Sequence, residues 1–277
     1  MFYLILAVFS SAMVAIVMRL AQPKVENPTG LLAGNYIFCA LMALLLSIPS
    51  FDTGFVGLPL AAGMGIVNGM IYLGGFALMQ WSTRHNGVVL SSIFMKLGIL
   101  VSMLISIVWF HELPTWIQGI GFVLAIAAIL VINYRKGTAL SRSSWVLLIM
   151  LCMNGMGDGM SKVYEVYGNQ EIQNIFLFFT FGAALLFCLL LMRKKGERLG
   201  KQELLYGCFL GIPNFFSSAF LLNALRRIPA VITFPTYSVA TILVVALAGV
   251  LIFREKLEKK QIIGAAIICV ALVLLNL

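Results

Sequence analysis

Runs of about twenty mostly apolar residues recur along the whole chain, each long enough at 1.5 Å per residue to cross about 30 Å of hydrocarbon. In lipid such a run becomes a helix, because helical backbone amides and carbonyls find their partners within the segment. The runs fall at 1–20, 30–48, 55–79, 87–110, 115–133, 144–164, 172–192, 203–225, 229–252 and 259–276. Pro23 and Pro28, Pro49 with Asp52, His111 to Pro114, and Arg193 to Lys201 mark the boundaries. Apolar segments continue to Leu277, so the N-terminal run reads as a span and not as a cleaved signal. Charged residues make up only 10% of the chain, against roughly 25% in a soluble protein, and most of the surface must therefore face lipid. The fold class predicted is an all-α membrane protein with ten transmembrane helices.

The chain also repeats itself. A shift of 143 residues lays FHELPTWIQGIG (110–121) on FREKLEKKQIIG (253–264), matching Phe110, Glu112, Gln118 and Gly121 with Phe253, Glu255, Gln261 and Gly264. The same shift sets Asn133 on Asn276 and Arg19 on Lys162. Apolar coincidences are cheap in such a sequence, whereas polar ones in a single register are not. Two repeats are predicted, 1–134 and 144–277. Five is an odd number of crossings, so the second repeat must enter the membrane in the opposite sense, giving inverted repeats of the kind that suit alternating access.

The net charge of +9 is distributed along this pattern. Loops after the odd-numbered spans carry fifteen Lys and Arg, loops after the even-numbered spans carry three, and Lys96 lies inside a span. The positive-inside bias then places both termini on the non-cytoplasmic side. It also accounts for the basic residues without nucleic acid. The five cysteines sit in apolar segments with no CxxC or Cys/His spacing, so no metal, disulfide or cofactor is expected.

Chemistry is expected where polar groups lie inside the spans. Lys96 is ten residues into the fourth span, about 15 Å from the nearer surface, too deep for its side chain to reach water. Such a charge should face a cavity or a partner. It reads as an anchor for a carboxylate, as half of a buried ion pair, or as a neutral lysine that exchanges protons. Asp158 lies fourteen residues into the sixth span, about 6 Å different in depth from Lys96, within reach of a lysine. Asn154, Asp158, Ser161 and Glu165 share one helix face. Asn214 follows Pro213 in span eight, Thr236 and Tyr237 follow Pro235 in span nine, and Tyr72 lies among glycines in span three. Glu112 and Glu255 read as carboxylates capping the helix that follows each of them.

The ten-span plan with a five-span duplication resembles the drug/metabolite transporter superfamily in its EamA-domain branch. So does an acid after the fourth and ninth spans with a Gln and a Gly opening the next helix, in FHELPTWIQGIGFVLAIAAILV and FREKLEKKQIIGAAIICVALVLL. One departure is Met95-Lys96, where the fourth span of such proteins often has a proline. The resemblance implies a secondary transporter, not an enzyme, in the plasma membrane, with a central cavity lined by spans one, three, four, six, eight and nine. Tyr72, Lys96, Asn154, Asp158, Asn214, Thr236 and Tyr237 would line it. The site suits a small amphiphilic metabolite such as an amino acid or related carboxylate, exported or exchanged by a monomer, with a proton as a candidate coupling ion. The alternatives are an exporter of cationic drugs and a receptor or scaffold.

Overall fold

The computed structural model describes residues 1–48, 56–86, 94–95, 97–133, 144–252, 254 and 259–277. Among these residues there are ten α-helices and no strand: α1 (Phe2–Ala21), α2 (Pro28–Ser47), α3 (Leu58–Asn86), α4 (Ile99–Phe110), α5 (Trp116–Asn133), α6 (Ser144–Tyr167), α7 (Gln173–Lys195), α8 (Lys201–Leu225), α9 (Ala230–Leu251) and α10 (Lys259–Leu275). Six of the described helices are long and apolar enough to cross a membrane. Two of the predicted segments differ by more than three residues. The third helix runs to Asn86, seven residues past the expected end, where Trp81 and His85 stack at 4.0 Å and His85 Nδ1 meets the Trp81 carbonyl at 2.9 Å. The fourth segment, expected as one helix from 87 to 110, is interrupted in its described part: Leu97 and Gly98 form a turn. There the Gly98 N–H donates to Met95 O and the Leu100 N–H to Leu97 O, three residues back instead of four.

Local chemistry explains where the helices start and stop. Asn27 opens α2, its side-chain oxygen accepting from the Thr29 and Gly30 amides at 2.9 and 3.1 Å, with Pro28 in the first turn. α5 opens on a reciprocal box in which Thr115 N–H donates to Gln118 Oε1 and Gln118 N–H donates to Thr115 Oγ1. α7 stops at Gly196, whose φ of 70° lets Gly196 N–H reach Arg193 O and Glu197 N–H reach Met192 O. α4 ends instead on His111 at φ 55°, and the only other non-glycine residue of positive φ among those described is Arg254, at 54°. These two lie 143 positions apart, one before each glutamate of the repeated motif. Matching backbone conformations at matching positions are what a duplicated turn requires.

The chain forms two compact units. One holds Met1–Leu73 and Met160–Ala224, the other Gly74–Gly159 and Leu225–Leu277. Neither coincides with a sequence half, since each takes helices from both repeats. Within the first unit, α2 lies antiparallel to α7. Thr29 O accepts from Cys188 Sγ, Tyr36 stacks on Phe181, and Leu46 O accepts from Asn174, so contacts advance along one helix as they retreat along the other. Within the second unit, α5 lies antiparallel to α10, Gly121 against Leu274 and Ala271 at one end, with Ala125, Ala128, Ile129 and Ile268 continuing the core. α4 packs against α9 in the same unit. Each of these pairs joins a helix to its own counterpart in the other repeat.

Small residues let the helices come this close, as expected where packing and not water exclusion drives association. Gly65 and Gly69 of α3 lie against the α7 backbone from Phe176 to Ala184. Gly207 and Gly211 of α8 lie against Leu31, Gly34, Asn35 and Phe38 of α2. Gly98 and Gly155 face each other where α6 passes the start of α4, and Gly159 meets Ile105 one turn on. The opposite faces are for lipid. On α1, Phe2, Ile5, Phe9 and Met13 are exposed while Leu4, Val8, Ala12 and Ile16 are buried.

Candidate functional site

Four of the residues predicted to bind substrate belong to the second unit. Asn154 and Asp158 stand one turn apart on α6. The Asn154 amide donates to Met150 O at 2.8 Å on its own helix, and its Cβ lies at the crossing with Gly98. Asp158 is half-buried between Gly157 and Gly159 and makes no hydrogen bond or ion pair with the described residues. Thr236 is buried in α9, one residue past Pro235, and its Oγ1 accepts from Asn276 Nδ2 at 3.4 Å. Tyr237 beside it is half-buried, and its carbonyl accepts from the Thr241 hydroxyl at 2.6 Å. Lys96 and Glu255 lie outside the described residues.

Tyr72 and Asn214 belong to the first unit. Asn214 donates to Asn35 Oδ1 at 3.1 Å and approaches Cys39 Sγ at 3.8 Å, joining α8 to α2. Asn35 is buried and was not among the predicted residues. Its signal in the sequence is a lone amide in an otherwise apolar run, one residue after Gly34. Of the α6 stripe, Glu165 is already engaged: Lys162, itself buried, reaches its carboxylate at 2.6 Å.

Two carboxylates sit at the start of helices to which they do not belong. Glu203, buried in the first turn of α8, accepts from Asn27 N–H at 3.4 Å, at the N-terminus of α2. Glu112 corrects an expectation. It caps a helix, but not the next one in the chain: Oε2 accepts from Ala230 N–H at 2.6 Å and Val231 N–H at 3.3 Å, the opening amides of α9. The next helix, α5, has the Thr115–Gln118 box and needs no carboxylate. The left-handed turn at His111 reverses the chain after α4 and sets Glu112 beside its packing partner. A negative charge at the positive end of a helix is favourable by about 0.3–1 kcal/mol at exposed sites and more where partly buried.

The repeated left-handed turns, the helices paired with their own counterparts, and the two copies of the acid–Gln–Gly motif can now be set beside known proteins. The EamA-like transporter family matches residues 1–134 and, a second time, 141–277. The chain belongs to the EamA-like transporter family. A protein of Haemophilus influenzae described as uncharacterized is 23% identical over 271 residues, covering 94% of this chain and 92% of that one. A solved crystal structure shares the fold with a TM-score of 0.76 at 14% identity, over 99% of this chain and 94% of that one. As an EamA-like protein the chain is a multi-pass membrane transporter of the drug/metabolite type, acting on a small molecule from within the lipid bilayer.

Proposed function

We propose that this EamA-like protein is a secondary active transporter that moves a small amphiphilic metabolite bearing a carboxylate across the plasma membrane, as an exporter or exchanger. The observation that carries this reading is the antiparallel pairing of counterpart helices, α2 with α7 and α5 with α10. Helices related by an axis in the membrane plane must run in opposite senses. Two inverted repeats of five spans each, 1–134 and 144–277, can exchange conformations and so open the site to either side in turn. Both termini are then non-cytoplasmic. Lys96 anchors the carboxylate, and Asp158 balances that lysine in the empty state or takes an amine or a proton. Asn154, Thr236 and Tyr237, of the same unit as Asp158, complete the lining. Re-forming the Lys96–Asp158 contact when the site empties would couple occupancy to the change of access.

The test is counterflow of ¹⁴C-labelled amino acids into proteoliposomes. Saturable counterflow is expected from wild type and none from Lys96→Met, which should still insert and fold. Normal transport by Lys96→Met would refute the anchoring role. A second reading, export of a cation, would place the cation on Asp158. Counterflow of a lipophilic cation that Lys96→Met retains and Asp158→Asn loses would establish that reading instead.

A further inference from the structure

We propose that Glu112 is a positioning residue of the transport site: it holds the first turn of α9 and, through it, the placement of Thr236 and Tyr237. This rests on the transporter reading above. A helix starts with four amides that its own turns cannot satisfy. α9 starts after Pro229 (φ −52°, ψ 143°), which offers no side-chain cap. Ile232 and Thr233 N–H return to the Pro229 carbonyl, whereas Ala230 and Val231 are buried and their amides have no ready access to water. Glu112 Oε2 accepts from both, from 118 and 119 positions earlier in the chain.

Pro235 lies in the second turn of α9, and the helix runs on through it to Leu251. Pro235 has no N–H to return to the Val231 carbonyl, and proline inside a helix is the commonest cause of a kink. Because the helix is continuous across Pro235, the direction set at its first turn carries into the residues that follow. Thr236 and Tyr237 come directly after the proline, about 9 Å along the axis from Ala230. Glu112 is therefore outside the predicted lining yet governs two of its members.

The experiment uses protein with all five cysteines replaced by alanine, reconstituted in liposomes, with Tyr237→Cys as the reporter and Glu171→Cys as a control. The rate of N-ethylmaleimide labelling is read with Glu112, Glu112→Gln and Glu112→Ala. Loss of the cap in Glu112→Ala should change the rate at position 237 by about fivefold or more. Glu112→Gln keeps an amide oxygen for Ala230 N–H and should stay within about twofold of wild type. The control site should not respond. Ala230→Pro deletes one of the two donors, at a position where proline suits the backbone; Glu112 then keeps only the Val231 N–H, and the rate should change in the same direction by a smaller factor. It also stands in for Glu112→Ala if that variant fails to insert. An unchanged rate at position 237 in the capless variants overturns the proposal, and so does a parallel change at the control. Labelling needs no solute, so a wild-type protein that transports nothing would count against the transporter reading alone.

Discussion

Replacing Gly69 with alanine puts a methyl group where α3 and α7 leave no room for one. A Cβ at that position would fall on the Thr180 carbonyl oxygen and stand 2.8 Å from Ala183 Cβ and 3.0 Å from Ala184 N. None of these atoms lies at the end of a flexible side chain, so α7 itself must move. Overpacking of this kind costs about 1–3 kcal/mol. A gap of about 0.5–1 Å opened along the seam forfeits a quarter to a half of each neighbouring contact. Against this, alanine is better than glycine in a helix by about 1 kcal/mol. Gly63, six residues earlier in the same helix, isolates that gain, because a Cβ there meets nothing within 4 Å. Gly63→Ala should therefore stabilise by up to about 1 kcal/mol, and Gly69→Ala should destabilise by about 1–2 kcal/mol. Unfolding in mixed micelles titrated with a denaturing detergent would measure both. Equal stability of the two variants would show that the α3–α7 seam is not the close contact described, and the reasoning would fail.

Asn35→Leu and Asn214→Leu should each destabilise by about 1–2 kcal/mol, since each removes the bond between the half-buried Asn214 amide and the buried Asn35. The double variant should lose less than the sum by about 0.6–1.7 kcal/mol, a coupling the same unfolding titration would detect. Lys162→Met leaves Glu165 without the lysine in a site where both side chains are largely buried, and should cost about 3 kcal/mol or more. Adding Glu165→Gln should restore most of the loss, and a thermal-unfolding comparison in which it restores none would contradict the pairing.

The duplicated turns were legible because their signals are local. Glu112 and Glu255 align in the sequence, and the residues before them, His111 and Arg254, share a left-handed backbone. Helix positions followed from apolar length, with errors where a turn or a stacked pair intervened, at Gly98 and beyond Met79. Partners were not legible. A helix in lipid is apolar on every side, so the polar face that would orient it in water is missing. Nothing in the composition of α2 separates the buried Leu31 and Leu32 from the exposed Leu44, Leu45 and Leu46. For the same reason Asn214 could be noticed but not paired with Asn35, and Glu112 could be read as a cap but assigned to the wrong helix. Periodicity names a face at best, and a contact spanning more than a hundred residues leaves no trace in it.

The pairing of each helix with its counterpart also bears on how the protein is made. A nascent chain that has finished α2 must wait for α7, and α5 meets its partner only once α10 has left the ribosome. The first repeat thus waits in the bilayer with glycine seams uncovered until the helices of the second repeat have been made. A stop codon before Lys259 would strip α5 of Ile268 and Ala271, which share a core cluster with its Ala125 and Ala128, and leave a second unit that cannot close.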